Sequence, residues 1–466
     1  MSNHIRPLAV LAGARTPFCK SFTEMSPLTA VELGVHSLVG VMEKTGITAN
    51  DIDEVIFGNV SGQPDSANLA RVISLRAGVP EDRIAHTVNR NCASGMESVI
   101  AAWHSLQHQC TRTNKVSHSV KPRLIAAGGT ESMSNIPMFF REEGKEFWMR
   151  LARSKTISQK LKVLASIRTN MFKPVVGIEL GLTDPFSKMN MGQTAELLAT
   201  DFGITRRDQD AFALASHLRA SAASQRCFMS GEIVPISNPR ASGEGDASNV
   251  SMMISKDNGP RPNQTVEQLE KLRPLFKRDK GTVTAGNSCP LTDGAAALVV
   301  ADANSFIQYG HHIGGTIKIE RPLGYITEFE ITGCDPRRMG LGPVFAIAKL
   351  LARTGYKLND FDRIEINEAF AAQVIACRLA LESNSFCREH FSLSNPIGSL
   401  DPDRTNVNGG AIALGHPVGT TGTRLILTLL RELRASGLRR GLATLCVGGG
   451  QGVAMIVETE LEKQNV

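Results

Sequence analysis

The chain has 466 residues, 42% of them hydrophobic and 21% charged, an ordinary composition for a soluble globular protein with room for two or three domains and large cores. A net charge of +6 is mildly basic; it does not by itself mark a nucleic-acid-binding protein, and it suits an anionic small-molecule substrate. Nine cysteines, with no CxxC pair and no Cys/His metal spacing, speak against a disulfide framework or structural zinc and for a reducing compartment.

The start, MSNHIRPLAV, has one Arg and no long apolar run. No signal peptide, Arg-rich transit peptide or transmembrane segment is legible. The expected location is therefore the cytoplasm of a bacterial-type cell, with a mature mitochondrial matrix protein as the lesser alternative. Residues 7–12 form an apolar run expected to be a buried strand. Ala30 to Met42 reads as an amphipathic helix, with Val31, Leu33, Leu38 and Val41 among polar residues. The next stretch, Gly46 to Asn59, returns far downstream as Gly355 to Glu368. Gly46, Asn50, Asp51 and Asp53 match Gly355, Asn359, Asp360 and Asp362 at one constant offset, and each copy follows a helical pattern and runs into a short strand.

Ile84 to Val88 has extended character, whereas Met96, Val99, Ile100, Trp103 and Leu106 recur at helical spacing. Between them lies Asn91-Cys92-Ala93-Ser94-Gly95. Cys92 is thus expected near a helix N-terminus, where free N–H groups and the helix dipole favour a thiolate. The small residues after it leave the sulfur approachable. Alone this is weak evidence, since a free cysteine is more often a small buried hydrophobe. Leu124 to Gly129 resembles Thr444 to Gly449, again a strand followed by glycines, at an offset close to the first. Two matches in the same order suggest a duplicated α/β unit, with mainly parallel sheets covered by helices on both faces.

The middle of the chain differs. From Phe147 to Ile178 there is no acidic residue, while Arg150, Arg153, Lys155, Lys160, Lys162, Arg168 and Lys173 interleave with Trp148, Leu151, Ile157, Leu161, Leu164, Ile167 and Met171. Such a stretch fits an anionic membrane surface or a partner, or equally a solvated basic face whose apolar side packs on its own domain. A helix is expected from Gly192. Another has Thr205 as N-cap and Asp208 in the capping-box position. Residues 235–265 read mostly as loop, and Asp293 to Val300 as a buried segment returning to the first sheet.

Three further stretches carry polar chemistry. Asn367-Glu368-Ala369-Phe370 ends a predicted strand. Asn408 to Gly419 sets His416 in a tight glycine-rich loop ahead of an apolar helix, Leu425 to Leu433. Cys446-Val447-Gly448-Gly449-Gly450 places a second cysteine at a strand end, with N–H groups free to face an anion. A histidine and two cysteines in such loops suit acyl transfer, in which a thiolate attacks a carbonyl, the imidazole manages the proton and backbone amides hold the oxyanion. A phosphate-binding loop at 448–452 is discounted, because the Lys-Ser/Thr of a P-loop is missing.

With NCASGMES at 91–98, NEAFAAQ at 367–373, GGAIALGHPVGTTG at 409–422 and CVGGGQG at 446–452, the chain resembles a thiolase over nearly its whole length, from Ala14 to Val457. The long middle region, the Leu269–Asn287 segment and the Ser383–Arg404 insert most resemble degradative 3-ketoacyl-CoA thiolases that form the β subunit of fatty-acid oxidation complexes. The resemblance implies an α/β thiolase fold of two duplicated βαβαβαββ domains in a five-layered αβαβα arrangement. The first domain would comprise residues 1–128 and a return strand at 286–305. A loop domain at 129–285 would cover CoA, and the second domain would be 306–466.

It also implies roles. Cys92 matches the acylated nucleophile, His416 the residue that activates it, and Cys446 the acid/base at the acetyl carbon. Asn367 matches the residue holding a water that binds the enolate oxygen together with His416. The amides of Cys92 and Gly448 would form the other oxyanion hole. Arg273 and Lys277 are candidates for the CoA phosphates, and Ser288 and Cys289 for the pantetheine. Cys289 departs from the small polar residue of many thiolases. Asn367 is the common form in thiolases at large, where the oxidation-complex branch often has His.

The implied reaction is thiolytic cleavage of a 3-ketoacyl-CoA by CoA in β-oxidation, with acetoacetyl-CoA formation by an acetyl-CoA C-acetyltransferase as the alternative. CoA and acyl-CoA are substrates; no metal or other cofactor is required, and no nucleic acid is expected. A ketoacyl synthase is disfavoured because Cys446 stands where those enzymes usually place histidine. The expected assembly is a homodimer or homotetramer, with an enoyl-CoA hydratase/3-hydroxyacyl-CoA dehydrogenase subunit and a peripheral membrane contact through 147–178 as further partners.

Overall fold

The computed structural model describes residues 6–112, 122–240, 252–277, 280–309 and 319–461. Residues 1–5, and 241–251 of the expected loop, lie outside them. The first half runs β1 (Leu8–Arg15), α1 (Ala30–Thr45), β2 (Ile52–Gly58), α2 (Leu69–Arg76), β3 (Ile84–Val88), α3 (Ser94–Arg112) and β4 (Leu124–Glu131). A long excursion follows, with α4 (Glu142–Arg153), α5 (Ile157–Leu164), α6 (Met191–Asp201) and α7 (Arg206–Gln225), before β5 (Thr292–Asp302) returns. The second half is β6 (Gly324–Gly333), α8 (Gly342–Thr354), β7 (Arg363–Ile366), α9 (Ala371–Glu382), α10 (Asn384–Phe391), α11 (Thr421–Ala435), β8 (Arg440–Val447) and β9 (Gln451–Glu458).

The strands lie in the order β7-β8-β9-β6-β1-β5-β4-β2-β3. Read from the β6–β1 junction outwards, the order of one half mirrors that of the other. The junction itself is short, Leu8 to Val10 against Ile326 to Gly324. The first half is βαβαβαββ as expected. In the second, the strand matching β3 shrinks to one bridge: Ile364 N donates to Arg404 O and Asn406 N to Ile364 O, both at 2.9 Å.

The expectation of mainly parallel sheets fails. Only β2–β3, β2–β4 and β7–β8 are parallel. The last strand of each half, β5 or β9, runs antiparallel to both its neighbours, and β1 runs antiparallel to β6.

The repeat is real but its second match is out of register. Gly46 and Gly355 both end a helix in the left-handed conformation, φ 71° and 77°, and each is followed by a short 3₁₀ turn into a strand. In the ladders Val55 sits opposite Ala126, and its counterpart Ile364 sits opposite Leu442. Ala126 therefore corresponds to Leu442, not to Cys446. Gly128 and Gly129 lie inside β4, whereas Gly448 and Gly449 form the turn after β8.

Strand alternation builds three cores, one on the inner faces and one on each outer face. Leu8, Val10, Ile125, Ala127, Leu298 and Val300 face α3 and α11, together with Ala443, Leu445, Val453 and Met455 from the other half. Ala9, Leu11, Val55, Phe57 and Val299 face the outer helix α1. Leu442, Ala454 and Ile456 face α8 and α9. The layers are thus helix, sheet, paired helices, sheet, helix. Trp103 of α3 is 2% exposed and meets Phe329 of β6 edge-on at 5.3 Å.

The two inner helices touch backbone to backbone at their N-termini. A Cβ on Gly422 would lie 2.4 Å from Met96 N, and one on Gly95 would lie 2.7 Å from Thr423 N. Thr423 Oγ1 donates to Gly95 O at 3.0 Å. Neither position admits a side chain without moving main chain. Gly422→Ala is expected to lose about 1–3 kcal/mol in chemical denaturation, the range for overpacking a tight contact, whereas the solvent-facing Gly437→Asn should stay within about 0.5 kcal/mol; equal midpoints for the two variants would contradict the close-contact reading.

Candidate active site

The contact between α3 and α11 brings together the loops that precede both helices. Before α3, Asn91 takes a left-handed conformation, φ 44°, which asparagine tolerates better than most residues. Ser94 Oγ accepts from Arg90 N at 3.0 Å and donates to Asn91 O at 2.7 Å, so Cys92 stands at the apex of a tight turn. The turn is stapled to the other half of the molecule. Asn91 Nδ2 donates to Gly448 O at 2.8 Å, and Arg90, paired with Glu97 at 2.5 Å, donates to Gln451 Oε1 at 2.9 Å. The main-chain N–H groups of Gly448 and of Cys92 itself face the Cys92 sulfur and favour its charged form.

The thiol's charge state differs from the sequence expectation. Burial pushes the Cys92 thiol up; Glu131 adds to this, and the two amides only partly oppose it. The helix starts at Ser94, two residues late for its dipole to dominate. Cys446, at the end of β8, is 1% exposed. Burial holds its thiol well above the usual range, with Cys92, Cys377, Cys289 and Cys334 as neighbouring thiols. Both thiols are neutral at rest, so a base is needed to make a thiolate.

His416 offers a neutral ring with an open nitrogen. Gly415 before it has φ 105°, and His416 N donates to Thr292 Oγ1 at 3.1 Å. Its Nδ1 lies 2.6 Å from Thr421 Oγ1. That hydroxyl has one hydrogen, which goes to Pro417 O at 3.0 Å. The network therefore assigns the ring proton to Nδ1 and leaves Nε2 as a lone-pair acceptor. Nε2 is buried and has no partner among the described residues. Burial, and then the Arg424 charge, lower the His416 pKa to about 4, so the ring is neutral near pH 7.

Asn367 is fully buried, and both polar atoms of its side chain lack partners among the described residues. Its backbone is anchored, with Asn367 N donating to Thr444 O at 3.0 Å. Unmet buried polar groups are costly and rare, so a ligand or water is expected there. The site's edge is closed by Cys289, whose N donates to Ala369 O at 3.0 Å and whose thiol burial pushes up to about 12 with Cys92 close by.

The other sequence candidates sit differently. The Ser288 hydroxyl is buried and donates to Thr284 O at 2.7 Å. Arg273 and Lys277 are exposed, on either side of Phe276, which meets Phe370 edge-on at 6.2 Å.

Sequence reasoning passed over the two carboxylates that hold these loops. Glu131, at the end of β4, accepts from Asn59 Nδ2, Val60 N and Ser61 N, each at 3.1 Å, from the Ser61 hydroxyl, and from Gly419 N at 3.0 Å. Glu368 accepts from Ser216 Oγ at 2.6 Å, Asn406 Nδ2 at 2.8 Å and Ile412 N at 3.2 Å. The available signal was a carboxylate at the end of a hydrophobic strand, Glu131, or two residues past one, Glu368. A cavity of about 580 Å³ lies elsewhere, between the Cys334–Phe345 segment and α10; it touches Cys334 but not His416 or Asn367.

A half-buried and a buried thiol, a neutral imidazole with an open nitrogen and main-chain amides facing the Cys92 sulfur, on loops from both duplicated halves, suit acyl transfer. The chain belongs to the thiolase family: it matches the thiolase N-terminal domain over residues 8–304 and the thiolase C-terminal domain over residues 320–459. It is 36% identical to a 3-ketoacyl-CoA thiolase of Yersinia enterocolitica over 454 residues, 97% of each chain. It is likewise 36% identical to a probable acetyl-CoA acyltransferase of Staphylococcus aureus, covering 96% of this chain and 98% of that one. Among solved structures it resembles the human mitochondrial 3-ketoacyl-CoA thiolase in complex with CoA, with TM-score 0.78, 32% identity and 98% and 99% of the two chains covered. It resembles the Bacillus anthracis acetyl-CoA acetyltransferase similarly, with TM-score 0.79, 33% identity and 98% and 100% covered.

The buried neutral imidazole makes a stability prediction. His416 titrates at 6.5 when unfolded and about 4 when folded, so between those values the unfolded chain binds more protons. Stability is then complete above pH 6.5 and falls as the pH drops towards about 4. His416 should account for roughly 3 kcal/mol of that loss. His416→Gln, which cannot titrate, should flatten the decline, and parallel pH–stability curves for the two proteins would refute the assignment.

Proposed function

We propose that the protein cleaves 3-ketoacyl-CoA with CoA, giving acetyl-CoA and an acyl-CoA shorter by two carbons, as in fatty-acid β-oxidation. The hydrogen bond from Asn91 Nδ2 to Gly448 O at 2.8 Å, which sets the Cys92 sulfur beside the Gly448 amide, carries this reading. An acyl group on that sulfur has its carbonyl oxygen within reach of two fixed donors, which is where negative charge develops in attack and in deacylation.

In the proposed sequence, His416 Nε2 takes the Cys92 proton and the thiolate attacks C3. The C2–C3 bond breaks towards C2, whose enolate oxygen is held by His416 and by a water on Asn367. Cys446, kept protonated by burial, delivers its proton to C2 and becomes a thiolate. That thiolate takes the proton of the incoming CoA thiol. CoA attacks the acyl thioester, and Cys92 leaves and recovers its proton from His416.

Residues 129–285 are proposed to cover CoA, with Arg273 and Lys277 near its phosphates and Ser288 and Cys289 towards the pantetheine. The proposed setting is a bacterial-type cytoplasm, in a homodimer or homotetramer that joins a hydratase–dehydrogenase subunit. The second reading, acetoacetyl-CoA synthesis, is supported by the equally close resemblance to the Bacillus anthracis acetyl-CoA acetyltransferase.

Thiolysis of a series from acetoacetyl-CoA to 3-ketohexadecanoyl-CoA separates the two, the first reading requiring faster cleavage of the longer chains. Cys92→Ala should lower turnover at least about a thousandfold and abolish the covalent acyl adduct by mass spectrometry. Cys446→Ala should still take up an acyl group from acyl-CoA but lose exchange of the acetyl α-protons with solvent. A normal adduct on Cys92→Ala, or unchanged exchange in Cys446→Ala, overturns the corresponding role.

A further inference from the structure

A cavity of about 260 Å³ lies between α7, α9 and the segment 400–406. Asp208, Ala211, Phe212, Ala215, Ser216 and Arg219 line it from α7, at i, i+3, i+4, i+7, i+8 and i+11, one stripe of the helix. Ala211 and Ala215, one turn apart, keep that stripe low where longer side chains would fill the space. From α9 come Val374, Ile375 and Arg378, and Leu400 and Pro402 complete the wall. Val374, Ile375 and Leu400 are buried and Phe212 is half-buried, so the walls are mainly hydrocarbon.

Two guanidinium groups face one another across this space. Arg378 is half-buried and makes no hydrogen bond or salt bridge among the described residues. Arg219 donates to main-chain oxygens, Thr405 O at 3.1 Å and Pro402 O at 2.9 Å. Against these two charges stands the exposed carboxylate of Asp208, which Thr205 N and Oγ1 engage at 3.0 and 2.6 Å. The polar side of the cavity is the network behind the candidate site: Ser216 and Asn406 line it and donate to Glu368, which also accepts from Ile412 N. Thr405, another buried lining residue, has a hydroxyl with no partner among the described residues.

We propose that this cavity binds a short- or medium-chain aliphatic carboxylate, with its head on Arg378 and its chain against Phe212, Val374, Ile375 and Leu400. Charge selects the head group. An unpartnered guanidinium in a partly dry setting offers a carboxylate a charge-assisted, bidentate pairing that neither a cation nor a neutral group can match. The hydrocarbon walls select an apolar body. The volume falls just under the range of about 300–1,000 Å³ that holds drug-sized ligands, so CoA and its thioesters are too large. Cys92, His416 and Cys446 do not line the cavity, and the inference does not depend on the reaction proposed above. An occupant would rest against the hydrogen bonds that fix Glu368 and the chain at Ile412.

Calorimetric titration of the full chain with octanoate tests it, with acetate and octan-1-ol as controls that lack the chain or the charge. Octanoate should bind at least about tenfold more tightly than either control. Arg378→Gln removes the charge and Ala211→Leu fills the groove; each should weaken octanoate about tenfold or more while keeping the wild-type melting temperature. In the wild-type chain, octanoate should slow hydrogen exchange in residues 206–219 and 371–382. No binding of octanoate, equal binding of octan-1-ol, or binding that both variants retain overturns the proposal. Protection confined to residues 88–98 and 446–452 also overturns it, because the ligand then occupies the acyl-transfer site.

Discussion

The backbone contact between Gly95 and Gly422 is the constraint on which the site depends. Each half of the molecule carries one long helix on the inner face of its sheet, and these helices meet at their N-termini with no side chain between them. The Cys92 loop ends where α3 begins, and the His416 loop ends where α11 begins. Helices held apart by even one methyl group would shift the Cys92 loop against the loop that carries His416. Duplication thus has a direct chemical use here. Each half supplies one strand-to-helix loop, and near-symmetric packing brings the two loops tip to tip.

Around that contact, two carboxylates take up the main-chain donors that such tight loops leave without partners. Glu131 gathers N–H groups from the loop after β2 and from Gly419, and Glu368 gathers donors from the Asn406 loop, from Ile412 and from α7. Burial raises the pKa of both, while the hydrogen bonds pull the other way. Charge-assisted hydrogen bonds of this kind are roughly twice as strong as neutral ones. They give loops rich in glycine and small residues a rigidity that their side chains cannot supply. The result is a site whose thiols and imidazole are uncharged at rest, with the carboxylates placed one layer behind them.

Much of this was legible in the sequence because it is encoded locally. The helix over Arg206–Gln225 starts at Thr205 with Asp208 in the capping box, as its spacing indicated. The Gly46/Gly355 repeat was visible because a left-handed helix end demands glycine. What was misread depended on tertiary context. The glycines at 128–129 and 448–449 look alike as letters, yet one pair lies within a strand and the other makes a turn, which shifts the apparent repeat by four residues. Cys92 looked like a depressed-pKa thiol beside a helix dipole, and burial reverses the sign. Glu131 gave no motif because its role is set by five donors, one of them on Gly419 and far away in the chain. The apolar face at 157–164 was ambiguous because periodicity specifies a face and not what lies against it.

The strand order has a consequence for how the molecule is made. β5 sits between β1 and β4, yet it is synthesised only after the whole excursion that carries α4 to α7. Until residues 292–302 leave the ribosome, β1 and β4 both present an open edge, and the hydrophobic residues that will face α1 and α3 have no sheet to close over them. Pairings this distant in sequence are slow to form, and open edges expose a nascent chain to aggregation. Mutations that loosen the β1–β5 ladder are therefore predicted to reduce the yield of native protein during synthesis well before they measurably lower the stability of molecules that have already folded.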